Sequence, residues 1–462
     1  MHSSTSEQSI KTYLENSNLE GNGSLTLPDF LKLPLRQRYE RLQQRPQLAN
    51  VWAEQYAQWL PSADSKYRCI TSSVADEMSW FRLGVKDTID VHGMPTRLGL
   101  RSYRHYPRSS ASALEGIHPH IKVQFKVATT ELNIGFGAGC GNPLYPSIDP
   151  SGSSTGSAVS VAAHICDVGL GSDVLGSVRW PASHCGMVGL RMTHKPENLG
   201  GVFPLSPAMD ALGWITRTAD DLHFLLPMLG LERILGQQHS VKPHYRVGVL
   251  EHVYETAITS PEMLDMMAKV RYALGELGMS EVDVSMPKLW ACRGDAWQLC
   301  ARDAWLASNV WQKVFNTELH WSTRSALEVG SNVSEAEYQQ INHALLTIRK
   351  DIDAWFDETG VDVVILPTDP NRPFDLRHPQ PGDSTIPSPS DQQYDQKVGF
   401  TPLASFSGLP AITQPITLSA DGKAPLSLQI VGRRDSERQL IDIAQRLESL
   451  LGPLESRLYN NK

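Results

Sequence analysis

The chain has 462 residues, of which 41% are apolar and 20% are charged, and its formal net charge at pH 7 is −8. This acidic balance disfavours nucleic acid or an anionic membrane surface as a partner, and no apolar run approaches the roughly 18 residues that span a bilayer. The N-terminus lacks the basic and apolar regions of a signal peptide and the six cysteines form no C-x-x-C pair, so we expect a cytoplasmic protein with free thiols.

The first part of the chain predicts a helical extension, residues 1–60, ahead of a main domain over residues 61–462. Residues 1–25 are polar, and two helical stretches follow them. An apolar stripe runs along one face of the second stretch, because large apolar residues recur there every four positions. Its members are Leu48, Trp52, Tyr56, Trp59 and Leu60. We expect this stripe to pack on the main domain, with a dimer or partner surface as the alternative, and Pro61 to end the helix.

Strands and helices alternate through the rest of the chain. Strands are predicted at 83–85, 186–191, 244–251, 282–286, 361–367, 411–417 and 426–432, and residues 121–134 are predicted to run from a strand into the start of a helix. Helices are predicted at 260–278, 334–357 and 436–451. This alternation predicts an α/β fold with a mixed or mostly parallel sheet. The segment 371–396, rich in proline, aspartate and serine, is expected to form a long loop at a rim or lid.

Residues 151–177 hold two turns rich in serine and glycine, which bracket a run of small apolar residues. Such turns bend tightly and can present backbone N–H groups to a reacting atom. Two serines compete as nucleophile. Ser154 stands in a G-x-S-x-G pattern, but the proline-containing segment before it does not suit the strand that this motif requires. Ser177 follows a turn that can direct N–H groups at an oxyanion, so it is the stronger candidate.

A serine nucleophile needs a base, and Lys86 lies at the end of an apolar strand. Burial can lower the pKa of a lysine from about 10.4 by several units, and a second serine can then relay the proton. The alternative is that Lys86 is a solvated charge and that the serines bond only to local backbone. We expect neither a metal nor a nucleotide cofactor, because the chain has no H-E-x-x-H spacing and residues 135–143 do not fit G-x-G-x-x-G.

Several separated blocks of the chain, in order, resemble the amidase signature family. They are G-V-K-D-T-I-D-V-H-G-M-P-T-R-L at 84–98, S-G-S-S-T-G-S-A at 151–158, G-S-D-V-L-G-S-V-R-W-P-A-S-H-C-G-M-V-G-L-R at 171–191, and shorter blocks at 202–210, 213–221, 363–368, 407–412 and 428–433. The likeness covers roughly residues 65–455. It implies an α/β fold with a mixed, mostly parallel twisted sheet covered by helices on both faces, and an amidohydrolase without a cofactor.

The resemblance also implies a Ser–Ser–Lys triad. Ser177 would be the nucleophile that forms the acyl-enzyme, Ser153 a bridging serine held by a cis peptide, and Lys86 the buried base. Neutral Lys86 would take the proton of Ser153, and Ser153 that of Ser177. The oxyanion hole would consist of the backbone N–H groups of Val174, Leu175, Gly176 and Ser177.

Further residues are expected around this triad. Asp173, Arg179 and Ser154 would support the turn, and Gly139, Cys140 and Trp180 would contact the substrate. The chain also departs from the family pattern, which usually has glycine where Ser151, Thr155 and Leu175 stand. A leucine disfavours positive φ and would narrow the approach to the oxyanion hole, so the acyl substrate is expected to be unusual.

The predicted function is hydrolysis of a small carboxamide to an acid plus ammonia or an amine. One alternative is acyl transfer, or a specialised biosynthetic amidase, in which another nucleophile replaces water. A second is a protein resembling the A subunit of tRNA-dependent amidotransferases, which works with a partner protein, and a non-catalytic binding protein ranks last. We take a homodimer as the default oligomeric state, because dimers are the commonest.

Overall fold

The structure, a computed structural model, describes most of the chain between residues 26 and 454. The described residues are 26–74, 79–135, 138–255, 258–315, 318–373, 375, 386–391 and 393–454. The predictions for residues 1–25 and for part of the 371–396 loop, residues 374, 376–385 and 392, lie outside the described residues. Within these ranges no helix is both long and apolar enough to cross a membrane.

Helices and strands alternate along the chain, as the sequence predicts. The strands are β1 Ile70–Ser73, β2 Phe81–Lys86, β3 Ile121–Val127, β4 Val168–Asp173, β5 Val188–Arg191, β6 Ala211–Thr216, β7 Arg246–Leu250, β8 Ser280–Val284, β9 Val363–Pro367, β10 Ala411–Leu418 and β11 Pro425–Gly432. The α-helices are α1 Asp29–Lys32, α2 Leu35–Gln44, α3 Leu48–Tyr67, α4 Thr155–Ala162, α5 Arg179–His184, α6 Ala219–Leu225, α7 Leu231–Leu235, α8 Pro261–Glu276, α9 Pro287–Ala291, α10 Arg293–Phe315, α11 Trp321–Asn332, α12 Glu335–Thr359, α13 Tyr394–Val398, α14 Pro402–Ser407 and α15 Glu437–Leu451. The predicted α/β class is confirmed.

The strands form one 11-stranded mixed sheet in the order β1-β3-β2-β4-β6-β5-β10-β11-β9-β7-β8. Among the described residues, four of its ten strand pairings are parallel and six are antiparallel. The parallel pairings join β3 to β2 to β4 on one side and β9 to β7 to β8 on the other. Parallel pairings therefore make up a smaller fraction of the sheet than predicted. Antiparallel neighbours such as β10 and β11 need no crossover helix, so an alternation of strands and helices in the sequence does not reveal them.

Helices cover both faces of this sheet, as the resemblance implies. In β9, Val363 and Ile365 pack in one apolar cluster with α8 and α15, whereas Val364 and Leu366 pack in another with α10, α11, α12 and α14. Successive residues of a strand point to opposite faces, so the two clusters lie on opposite sides of the sheet.

The apolar stripe of α3 packs on the main domain, where Tyr56 and Trp59 join a buried cluster with α4. The Tyr56 hydroxyl donates a hydrogen bond to Ile165 O at 2.7 Å. The prediction that Pro61 ends this helix is wrong, because α3 continues to Tyr67 with Pro61 inside it. Burial of Tyr56 and Trp59 before the proline and of Ala63 after it offsets the one backbone hydrogen bond that proline cannot donate. The predicted boundary after residue 60 thus falls within a helix.

Two neighbouring strands bring the predicted base and turn to the same edge of the sheet. β2 and β4 are parallel, with Val85 opposite Leu170. β2 ends at Lys86 and β4 ends at Asp173. The carboxyl ends of parallel neighbours meet at one edge, so Lys86 lies beside the turn that follows Asp173.

Candidate active site

Lys86 is fully buried at the end of β2. Its Nζ lies 2.7 Å from Ser153 Oγ and 3.0 Å from Ser172 Oγ. A weaker contact of 3.4 Å joins Nζ to Ser172 O. The amine is therefore held against the hydroxyl of the predicted bridging serine.

Burial lowers the pKa of Lys86 from 10.5 to about 7. The charges of Asp173 and Asp210 oppose this shift but do not cancel it. A large fraction of Lys86 is neutral near pH 7, and a neutral amine can accept a proton. The geometry and the lowered pKa together make Lys86 able to act as a base towards Ser153.

Ser153 and Ser154 lie in a buried turn that leads into α4. The Gly152–Ser153 peptide bond is cis. Ser154 N donates to Ser177 O at 3.0 Å, and Ser154 Oγ donates to Ser172 O at 3.2 Å. Gly171 permits this approach, because a Cβ at that position would lie 2.5 Å from Ser154 Oγ. These contacts place the turn at 151–155 directly against β4 and the turn that ends at Ser177.

The turn between β4 and α5 carries the predicted nucleophile. Trp180 N donates to Gly176 O at 2.7 Å, and the Thr401 hydroxyl donates to Leu175 O. Gly176 has a φ of +139°. No acceptor in the described part of the chain binds the backbone N–H groups of Leu175, Gly176 and Ser177. The turn is held through its carbonyls, and these N–H groups remain available.

A buried cluster of charged residues stabilises this turn. Arg179 Nη2 lies 2.8 Å from Asp173 Oδ1, and Arg191 Nη1 lies 3.1 Å from the same oxygen. Asp173 Oδ2 also accepts from Val178 N at 3.2 Å. Burial alone would raise the pKa of Asp173, but the two guanidinium groups outweigh it and hold this pKa well below its usual range. Asp173 is therefore ionised and fixes the turn from three directions.

A cavity of about 360 Å³ opens over Ser177. Its wall includes four of the predicted site residues: Val174, Leu175, Ser177 and Trp180. The described residues that line it do not include Gly139 and Cys140, which we expected to contact the substrate. Cys140 is buried, with its Sγ 3.4 Å from Arg68 O. Of the described residues in the 135–142 segment, only Gly135 lines the wall.

The residues that replace the family's usual glycines are compatible with the backbone conformation at their positions. Leu175 does not adopt positive φ, so the expected strain at this residue is absent, and its side chain is buried in the cavity wall. Ser151 does adopt positive φ, at +61°, and its N–H donates to Asp149 Oδ1 at 2.6 Å. Thr155 Oγ1 donates to Ser151 O at 2.6 Å. Of the substituted side chains, that of Thr155 thus bonds within the turn that glycines usually form.

Sequence reasoning missed three residues near the reaction centre. Asp210 is buried, and burial raises its pKa to about 7. Thr401 holds the nucleophile turn, and Asp369 lines the cavity two residues after β9. Asp210 closes the block at 202–210, so the resemblance covers it without giving it a role. Asp369 and Thr401 carry no local motif, and only the folded sheet brings them to the site.

The sequence matches a family model and curated relatives. A family model described as Amidase matches residues 36–441. The A subunit of glutamyl-tRNA(Gln) amidotransferase from Anaeromyxobacter sp. (strain K) is 28% identical over 427 residues, which cover 82% of this chain and 84% of that protein.

Solved structures are similar in fold. The A subunit of glutamyl-tRNA(Gln) amidotransferase from Thermotoga maritima matches with a TM-score of 0.70 and 22% identity, covering 92% of this chain and 96% of that one. Kluyveromyces lactis allophanate hydrolase matches with a TM-score of 0.76 and 18% identity, covering 93% of this chain and 74% of that one. The mixed sheet with its flanking helices is thus the fold of these enzymes, and the family match extends over most of the sequence. The chain belongs to the amidase family and is an amide-cleaving enzyme.

Proposed function

We propose that the chain hydrolyses a small carboxamide through an acyl-enzyme on Ser177, with Ser153 and Lys86 as a proton relay. The observation that carries this proposal is the 2.7 Å contact between Lys86 Nζ and Ser153 Oγ, made by a buried lysine. A lysine with a solvated charge would have no such partner and no lowered pKa. The alternative interpretation of Lys86 as a surface charge is therefore not favoured.

The first half-reaction forms the acyl-enzyme. Neutral Lys86 accepts the proton of Ser153, Ser153 accepts the proton of Ser177, and Ser177 Oγ attacks the carbonyl carbon. When the tetrahedral intermediate collapses, its C–N bond breaks. The proton returns along the relay to the leaving nitrogen, which departs as ammonia or an amine.

The second half-reaction releases the acid. Water gives a proton to the same relay and attacks the acyl carbon, and the ester bond to Ser177 Oγ breaks with return of the proton to that oxygen. In both halves, negative charge develops on the carbonyl oxygen. The unbonded N–H groups of Leu175, Gly176 and Ser177 support an oxyanion hole at this turn, because preorganised donors stabilise such charge strongly.

Mapping the adduct of a fluorophosphonate serine probe tests the proposal. We expect an adduct on Ser177 in the wild type that is lost in Ser177→Ala and strongly slowed in Lys86→Ala. Ser160→Ala serves as a matched control, because Ser160 is also a buried serine but its hydroxyl bonds to Ser157 O and the Cys166 thiol and not to Lys86. Labelling of another serine, or wild-type labelling in Lys86→Ala, contradicts the proposed relay.

A second candidate function is favoured by the 28% identity to the A subunit of an amidotransferase. In that case the chain would cleave an amide with a partner protein, or pass its acyl group to a nucleophile other than water. Product analysis with added amines distinguishes acyl transfer from hydrolysis. Activity that appears only with a second protein identifies the partner-dependent role, and full activity of the isolated chain excludes it.

A further inference from the structure

A carboxyl group without a cationic partner lies in the wall of the proposed catalytic cavity. Asp369 lines this cavity together with Ser177 and Trp180. Its side chain is 21% exposed, and its buried Oδ2 has no hydrogen-bond partner in the described part of the chain. Buried carboxylate oxygens are normally satisfied, so this one is suited to a ligand that brings a donor.

The groups nearest to Asp369 do not neutralise it. His184 Nε2 lies 3.9 Å from Asp369 Oδ2, but burial lowers the pKa of His184 to about 4, so this ring is neutral at neutral pH. The guanidinium group of Arg179 is bonded to Asp173. Burial raises the pKa of Asp369 to about 7, and a hydrogen bond from Trp180 and the more distant charge of Arg179 oppose that shift. At pH 8 the carboxyl is therefore mostly ionised, and no cation among the described residues forms a charged pair with it.

Two cations also line the cavity, but each already has an acidic partner. Arg372 Nη1 lies 3.4 Å from Asp421 Oδ2, and Lys397 Nζ lies 3.2 Å from Asp391 Oδ2. These pairs leave little net positive charge to repel a cationic ligand. Asp369 is thus the unneutralised charge among the lining residues that the structure describes.

Two indole rings share the cavity wall with this carboxyl. Trp180 and Trp297 both line the cavity and stack with their ring centroids 5.9 Å apart. Trp297 is fixed by a hydrogen bond of 3.0 Å from its Nε1 to Val398 O. Aromatic rings attract ammonium groups, and a carboxylate next to them adds a charged acceptor. This combination is selective for a cation over a neutral or anionic group.

The position of Trp180 sets how far such a cation can lie from the reacting carbonyl. A Cβ on Gly176 would lie 2.8 Å from the Trp180 ring, so the indole touches the turn that carries Ser177. A group held between Trp180 and Asp369 is therefore about one side chain away from the nucleophile turn. A substrate that reaches both must be short.

Building on the proposed function, we propose that Asp369, with the Trp180 and Trp297 indoles, binds a protonated amine that the substrate carries a few bonds from its scissile carboxamide. Asp369 is then a specificity-determining residue, and the preferred substrates are short amino amides. Neutral amides of the same length lack the charge that the subsite binds, and amides with a carboxylate at that place are repelled.

The test compares two probes of equal length, 3-aminopropanamide and butanamide, at pH 8. Titration calorimetry gives both dissociation constants for Ser177→Ala, which cannot form the acyl-enzyme and so does not consume the amide, and for Ser177→Ala combined with Asp369→Asn or with Asp351→Asn. Asp351→Asn is the matched control, because Asp351 and its partner Lys288 both lie outside the cavity lining. We expect Ser177→Ala to bind the amino amide more tightly by about tenfold to a hundredfold, the range of a charged hydrogen bond. Adding Asp369→Asn should reduce this ratio to near one, and adding Asp351→Asn should retain it.

A ratio near one in Ser177→Ala, or an unchanged ratio when Asp369→Asn is added, overturns the inference. Binding is measured here without formation of the acyl-enzyme, so its outcome is separate from that of the fluorophosphonate experiment. An amine preference that depends on Asp369, in a protein whose Ser177 does not react, would support the subsite and contradict the proposed function. If Ser177 reacts but no amine preference depends on Asp369, the proposed hydrolysis is retained and the amine subsite is rejected.

Discussion

The proton relay makes a quantitative prediction about pH. Lys86 must be neutral to accept a proton, and burial lowers its pKa from 10.5 to about 7. At pH 7 about half of the molecules then hold neutral Lys86, against about one in 3,000 at the unperturbed pKa of 10.5. Relative to an exposed lysine, protonation of the buried amine is less favourable by about 5 kcal/mol. We expect the rate of Ser177 labelling to depend steeply on pH below 7 and weakly above it.

The assay is the second-order rate of fluorophosphonate labelling between pH 5 and pH 10, with reagent decay in buffer measured in parallel. The rate should rise about tenfold per pH unit up to a midpoint near 7 and then level off. A rise that continues to pH 10 would mean that Lys86 titrates like an exposed lysine. A flat profile would mean that no base with a pKa in this range serves Ser177, and either result refutes the relay.

Three further predictions concern groups around this base. Asp210→Asn should move the labelling midpoint to lower pH, because its carboxylate stabilises protonated Lys86; an unchanged midpoint contradicts the coupling. Asp173→Asn should lower the free energy of unfolding by about 3–5 kcal/mol, as expected when a buried ion pair loses one partner, and chemical denaturation measures it. A loss below about 1 kcal/mol would show that Arg179 finds another partner. Gly176→Ala should abolish labelling with the fold retained by circular dichroism, because a methyl group there meets an indole ring at positive φ; normal labelling contradicts the role of this turn.

The three residues of the proposed triad could be singled out from the sequence because their signals are local. Lys86 ends an apolar strand, Ser153 and Ser177 stand in turns rich in serine and glycine, and each lies inside a block that resembles the family. Strand ends and turns fix where a side chain emerges, so the two turns and the strand could be located without tertiary contacts. The structure adds the contact between Lys86 and Ser153, which depends on β2 and β4 lying side by side.

The remaining errors involve contacts between distant parts of the chain. Asp369 reaches the cavity only because β9 takes its place in the sheet, and no pattern near residue 369 signals this. Pro61 lies inside a helix because burial of the α3 stripe outweighs the local preference of proline. The sequence predicted a mixed sheet but not which strands pair antiparallel, because pairing is decided between segments and not within them.

Direct observation of the acyl-enzyme tests the central claim most sharply. The wild type is mixed with p-nitrophenyl butyrate, quenched in acid within the burst of p-nitrophenol release, digested and analysed by mass spectrometry. We predict a butyryl group on Ser177 in the wild type, no burst in Ser177→Ala, and a burst slowed by about 100-fold or more in Lys86→Ala. A butyryl group on another residue, or a normal burst in Ser177→Ala, would contradict the account.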